Sequence, residues 1–203
     1  MKSILEYHQD FTEEEIEKLK YGLEGVYLTL TKTIILLAIA FLFGILKETL
    51  ILVLLFNIIR YPAFGFHADS SKTCLIFSSI LFLGIPYLFL NYELSKSLEI
   101  LIISFTLLSF ILYAPSDTVK RPLINPKKRL IRKISACILA ILYIIGYYLI
   151  PNLVIARLLL ASVVLETIMI LPITYKIFKQ PYRNYATYQI WFKCFGHLNI
   201  ERK

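Results

Sequence analysis

Charge is scarce in this chain: Asp, Glu, Lys and Arg make up only 18% of its 203 residues, against 58% hydrophobic residues and a mean hydropathy of +0.68. So little polar side chain cannot coat a soluble globule of this size, and the composition points to a membrane protein instead. Cysteine is equally sparse. Cys74, Cys137 and Cys194 are odd in number, unrelated in spacing and without a CxxC pair, so neither a disulfide framework nor a zinc site is suggested. No metal and no cofactor is expected. The opening MKSILEYHQDFTEEEIEKLK lacks the basic start and apolar run of a secretory signal, so the later apolar segments are expected to be retained. Internal repeats, a soluble domain and low-complexity linkers are absent too. Acidic residues are the scarcer charge, 14 against 22 basic, a net +8. The basic residues flank apolar runs, the pattern of membrane orientation rather than of nucleic-acid binding, and no nucleic-acid partner is expected.

Apolar runs are what the chain has in quantity. Hydrocarbon about 30 Å thick needs roughly 20 helical residues at about 1.5 Å each. On that measure spans are expected at about 26–46, 49–60, 74–91, 98–114, 134–150 and 153–173. The second is short and is cut off by Arg60-Tyr61-Pro62. The fold class is therefore all-α: a polytopic membrane protein of about six transmembrane helices with an N-terminal interfacial amphipathic helix. We read residues 1–203 as a single membrane domain, with a cytoplasmic amphipathic segment (1–25), a bundle (26–173) and a basic, aromatic cytoplasmic tail (174–203). Thr12 and Glu15 have capping-box spacing, and Ile16, Leu19, Leu23 and Tyr27 share one helical face. In the tail Tyr182, Tyr185, Tyr188, Phe192 and Phe195 recur at helical spacing beside Trp191, Arg183 and Lys193, which suits the headgroup layer. With both termini inside, 18 of the 22 Lys and Arg face the cytoplasm and only Lys47 and Lys96 face outward. The positive-inside rule then sets the orientation expected for this multi-pass chain.

Reactive side chains gather in one stretch, Arg60 to Cys74, at the cytoplasmic edge of that topology. On an unbroken helix His67 and Cys74 would stand roughly 10 Å apart along the axis, too far for a nucleophile and its base. Gly65 permits a break, and Asp69, Ser70 and Ser71 are good N-caps for the next helix. With Ser71 as cap, Cys74 is the third helical residue, where free amides and the helix dipole favour a thiolate. His67 on the preceding loop can take the thiol proton. The competing reading is an interfacial histidine near an ordinary buried cysteine. Asp69 and Asn57 are candidates to orient His67; equally, Asp69 can be a helix cap and Asn57 a buried polar residue.

The run Arg60, Gly65-Phe66-His67-Ala68, Cys74 resembles the signature of the accessory gene regulator B (AgrB) family: an arginine, a glycine-aromatic-His-Ala element and a cysteine seven residues after the histidine. The stretch Tyr113-Ala114-Pro115-Ser116-Asp117-Thr118-Val119-Lys120-Arg121-Pro122-Leu123 resembles that family's Ala-Pro…Lys-Arg-Pro element. Phe64 departs from the pattern, standing where many members have the first glycine of a pair. The resemblance implies a bacterial membrane cysteine endopeptidase with His67 and Cys74 catalytic, processing an AgrD-type precursor peptide for quorum sensing. It further implies a thioester on Cys74 and closure to a cyclic thiolactone or lactone.

The loop 115–133 carries Lys120, Arg121, Lys127, Lys128, Arg129, Arg132 and Lys133, with Pro115, Pro122 and Pro126 opposing helix in its first part. Such a loop can anchor on anionic membrane lipid; the resemblance adds recognition of an acidic precursor tail. Substrate-binding candidates are accordingly Arg60, Gly65, Asp69, Asp117, Lys120, Arg121, Lys127, Lys128, Arg129 and Glu166, and a homodimer is compatible with the pattern. Lys32, Arg157 and Glu166 lie within apolar runs, where each needs a partner. Similar depth suggests a Lys32–Glu166 pair, while Arg157 can snorkel to the outer face. A small transporter or exporter, or a non-catalytic scaffold, are the alternatives, although the two halves show no matching broken helices. Neutralising Lys127, Lys128 and Arg129 is expected to weaken precursor binding in a salt-sensitive way without changing topology. Binding measured across a salt series, beside a topology reporter, checks this; unaffected binding or a flipped topology would leave the loop an anchor only.

Overall fold

The computed structural model describes residues 12–66, 71–118 and 122–186, so His67, Asp69, Lys120, Arg121 and the expected aromatic positions beyond 186 lie outside the described residues. Seven helices account for most of what is described: α1 (Glu13–Leu42), α2 (Leu46–Ala63), α3 (Ser71–Asn91), α4 (Lys96–Tyr113), α5 (Pro126–Leu149), α6 (Leu153–Ile170) and α7 (Pro172–Ile177). They fall into two compact units, residues 1–46 and 47–203.

In the first unit the capping box forms as the spacing predicts. Thr12 Oγ1 accepts from Glu15 N at 3.4 Å, and Thr12 N donates to Glu15 Oε2 at 2.9 Å. The surface segment and the first span expected after it are one continuous helix, because no proline interrupts residues 13–42. Only Leu30–Leu42 of it is an apolar stretch, shorter than a full span. Thr31, Lys32 and Thr33 interrupt the hydropathy, and the Thr31 hydroxyl bonds back to Tyr27 O at 2.8 Å. The helix ends in a Schellman motif: Gly44, at φ +71°, donates to Phe41 O, and Ile45 donates to Ala40 O.

In the second unit α6 is the central helix. Two thirds of it (67%) is buried, against 22% for each of the other three long apolar helices, so it is a post wrapped by α3, α4 and α5. Its sequence explains this, since Leu158, Leu160, Ala161, Val163 and Leu165 leave no polar stripe to face outward. Small residues, among them Ala136, Ala140 and Ala156, let the helices approach closely. Leu101, Phe105, Leu108, Ile111, Ile134, Ile138 and Ile141 are exposed on α4 and α5, an apolar periphery suited to lipid. The chain is an all-helical membrane protein.

Among the described residues four helices are long and apolar enough to cross a membrane, within α3, α4, α5 and α6; six spans were expected, and two of them do not qualify on length and charge. Besides the short apolar part of α1, the difference is α2, whose 18 residues include Lys47, Glu48 and Arg60. Pro62 does not cut α2 off; it lies in the final turn, and the helix runs on to Ala63. The helix α5 begins earlier than expected, because the Asn125 side chain caps the amides of Lys127 and Lys128 and Pro126 occupies the first turn. The basic cluster from Lys127 to Lys133 is therefore helical.

Polar contacts concentrate at the two ends of this unit. At one end Tyr148 donates to Glu99 Oε1 at 2.6 Å, Lys96 pairs with Glu99 at 3.3 Å, and Arg157 reaches Leu90 O at 2.9 Å and Glu93 at 3.6 Å. Arg157 thus finds its partners near the helix end, as a snorkelling side chain should. At the other end lies the site described below. Gly146 of α5 is packed so closely that an added Cβ would stand 3.0 Å from Leu159 Cδ1. Gly146→Leu is expected to destabilise the α5–α6 contact by about 1–3 kcal/mol, read as a lowered thermal midpoint in detergent, whereas Gly146→Ala needs only a small shift of the Leu159 side chain.

Candidate active site

Arg60 sits in the last turn of α2, where a cation complements the helix carbonyls. Its Nη1 donates to Glu166 Oε2 on α6 at 3.3 Å, and its Nη2 donates to Phe66 O at 2.5 Å and Gly65 O at 3.4 Å. Glu166 is fully buried, so its carboxylate needs a cation; that cation is Arg60, which corrects the Lys32–Glu166 pair suggested by sequence depth. Depth along a helix does not say which way a side chain faces, and the end of α2 faces Glu166. The other carboxylate oxygen, Oε1, is buried without a hydrogen-bond partner.

The chain leaves α2 through a turn of unusual backbone. Phe64 takes φ +63° and Gly65 φ +112°, while Phe64 N–H still reaches Arg60 O at 2.9 Å. The position that departs from the glycine pair thus adopts a conformation glycine favours. Three backbone bonds hold it there: Gly65 N to Ser116 O (2.8 Å), Ser116 N to Ala63 O (2.9 Å) and Phe66 N to Met169 O (2.8 Å). The Arg132 guanidinium lies 4.5 Å from the centre of the Phe64 ring and donates to Tyr61 O at 2.7 Å. Gly65 has no room for a side chain: an added Cβ would lie 2.8 Å from Arg60 Nη1 and 3.2 Å from Glu166 Oε1.

Phe66 carries the turn toward the third helix. Its buried ring stacks on Phe178 at 4.5 Å between centroids and meets Phe77 edge-on at 6.1 Å. Phe77 is three residues beyond Cys74 on α3, hence on a neighbouring stretch of the same helix surface. Cys74 is half-buried and free. The helix already includes Ser71, so Cys74 is its fourth residue, one later than expected with Ser71 as cap, and still in the first turn. Asn57 does not point to this turn by its hydrogen bonding: its amide donates to Val53 O of its own helix at 2.8 Å.

The second motif closes the site from behind. Ser116 Oγ donates to Ile170 O at 3.2 Å, and the Tyr175 hydroxyl donates to the carbonyls of Ser116 and Asp117, each at 3.2 Å. Burial pushes the Tyr175 phenol well above its usual range, which keeps it a neutral donor. Asp117, 1% exposed, accepts the backbone N–H groups of Asn184 (2.9 Å), Tyr185 (2.8 Å) and Leu123 (3.2 Å). It organises the chain around it, and it also borders a cavity of about 190 Å³ with Arg129, Lys133, Tyr182, Arg183 and Tyr185. The Arg129 guanidinium lies 3.8 Å from the Tyr185 ring centre, while Lys127 and Lys128 are exposed.

Of the residues singled out from sequence, Arg60, Gly65 and Glu166 meet at the turn before His67, and Asp117 and Arg129 border the adjacent cavity. Ser116, Tyr175, Phe77 and Asn184 also build the site and do not stand out in the sequence. Ser116 lay inside a quoted motif; nothing in the local pattern distinguishes the others.

The family model described as accessory gene regulator B matches residues 1–170. Similar proteins include an AgrB-like protein of Clostridium acetobutylicum, 35% identical over 86% of this chain and 84% of its own length. An AgrB-like protein of Listeria monocytogenes is 32% identical over 87% of each chain. The accessory gene regulator protein B of Staphylococcus carnosus is 34% identical over 65% of this chain and 69% of its own. No solved structure matches.

Gly65→Ala should strain both the backbone and the Arg60–Glu166 contact, a loss of about 1–3 kcal/mol seen as a lower thermal midpoint in detergent. An unchanged midpoint would show that the turn tolerates a Cβ and is looser than described.

Proposed function

This chain belongs to the accessory gene regulator B family, and from that premise we propose that it is a membrane cysteine endopeptidase that processes an AgrD-type precursor in autoinducer production. Cys74 is the nucleophile and His67 its base. The observation that carries the reading is the link from the braced turn to the cysteine helix. Phe66, next to His67, packs on Phe77, one turn from Cys74, while Arg60 and the Met169 carbonyl hold Phe66 in place.

On this reading His67 takes the proton from the Cys74 thiol, and the thiolate attacks a carbonyl near the C-terminal end of the precursor. The C–N bond breaks, the proton passes from His67 to the leaving amine, and the N-terminal part remains as a thioester on Cys74. A cysteine or serine within the bound peptide then attacks the thioester, closing a thiolactone or lactone and returning its proton to Cys74. Exclusion of water from the site favours ring closure over hydrolysis. The site faces the cytoplasm, in keeping with the distribution of Lys and Arg. Lys127 and Lys128, with Arg129 beside Tyr185, receive the acidic end of the precursor or anionic lipid. A transport reading gains little from the ionisable residues within the helices, since Arg60 and Glu166 bond to each other and Arg157 is engaged near Leu90.

Cys74→Ala and His67→Ala are each expected to reduce cleavage by about 100-fold or more. Cys137→Ala and Cys194→Ala should leave it intact; Cys137 packs against the hydrophobic core of the bundle. The measurement is co-expression with a candidate precursor, a short peptide with an amphipathic start and an acidic end, followed by mass spectrometry of cell-associated peptides. Substantial processing by a stably inserted Cys74→Ala protein would refute the assignment.

A further inference from the structure

Glu166 is fully buried in the most buried helix of the bundle, yet only one of its carboxylate oxygens has a hydrogen-bond donor. A pair kept only to join α2 to α6 could be replaced by apolar side chains at little cost to stability. What an apolar pair could not reproduce is the second half of the guanidinium. With Nη1 on Glu166, the Arg60 fork points Nη2 at two carbonyls, Gly65 O and Phe66 O.

The Phe66 carbonyl belongs to the peptide unit shared with His67, and that unit is planar. Its oxygen is held by Arg60, and the N–H on the other side of Phe66 is held by Met169 O. Two fixed points on Phe66 set the plane of its carbonyl. The ring of Phe66, fixed between Phe178 and Phe77, refers that plane to the helix bearing Cys74. Arg60 keeps 22% of its side chain exposed, so without Glu166 the guanidinium is free to turn outward and release both carbonyls.

We infer that Glu166 is a positioning residue: it fixes Arg60 so that the guanidinium locks the Phe66–His67 peptide and aims His67 at Cys74. This rests on the proposed pairing of His67 with Cys74. It goes beyond that pairing by assigning the orienting role to a carboxylate 99 residues away in the chain, which acts through Arg60 rather than on the imidazole itself.

The test uses full-length protein in a Cys137→Ala, Cys194→Ala background, where Cys74 is the remaining thiol. Alkylation by iodoacetamide is followed across pH, beside single-turnover cleavage and thermal midpoint. A cysteine paired with histidine keeps thiolate character well below the ordinary thiol range, and His67→Ala provides the unpaired profile. Glu166→Gln is expected to move the alkylation profile toward that of His67→Ala and to slow cleavage at least tenfold per folded molecule. Arg60→Met with Glu166→Met removes both charges and is expected to recover much of the thermal midpoint without recovering cleavage, and it carries the test if the single variant does not accumulate. Normal alkylation and cleavage in Glu166→Gln, or cleavage that returns with stability in the double variant, overturns the positioning role alone. A His67→Ala protein that alkylates and cleaves like its parent overturns the His67–Cys74 pairing and the inference with it.

Discussion

A carboxylate with no exposed surface inside a membrane helix must meet a cation, and Glu166 meets Arg60 at the point where α2 ends. Most of the local architecture follows from where that cation stands. Because Arg60 lies in the last turn of its helix, its remaining donors fall on the carbonyls of the residues that leave the helix. Gly65 must then pass beside the guanidinium and the carboxylate, and only a residue without Cβ fits. The left-handed backbone at Phe64 and Gly65 is held by bonds from Ala63, Ser116 and Met169, so strain at one turn is offset by contacts from two other parts of the chain.

A second organiser stands behind the first. Asp117 gathers three backbone N–H groups, two of them from residues 184 and 185, and Tyr175 ties the carbonyls of Ser116 and Asp117 to α7. These charge-assisted bonds fix the end of the described chain against the turn before His67. The same arrangement brings Tyr182, Arg183 and Tyr185 beside Arg129 and Lys133, so the cavity there is built from three stretches of sequence, 112–117, 129–133 and 182–185. Burial pushes the Tyr182 phenol upward as well, which keeps this wall of the cavity neutral between its cations.

The basic residues that look equivalent in sequence divide into different roles. Arg132 serves the turn, through the Tyr61 carbonyl and the Phe64 ring, and Arg129 packs on Tyr185. Lys127 and Lys128 stay in solvent on the capped first turn of α5. Arginine takes the packed positions because a planar guanidinium can lie on an aromatic ring and still donate at its edge; lysine, a compact and strongly hydrated charge, stays outside.

The membrane class, the helical composition, the capping box at Thr12 and the two motifs around Gly65 and Asp117 were all legible in the amino-acid sequence, because hydropathy, capping and backbone freedom are local properties read within a few residues. Among the described residues four of the six expected spans qualify by length and charge, and the two that do not, in α1 and α2, lie close to those thresholds. What only the tertiary structure decided is which distant groups share a space. Glu166 finds Arg60 rather than Lys32, Ser116 pairs with Phe64, and Asp117 bonds to the backbone of residues 184 and 185. Each of these depends on the direction a side chain or carbonyl faces after the helices have packed around α6. A buried polar group accepts whichever partner that packing presents at bonding distance, and no periodicity along the chain encodes it.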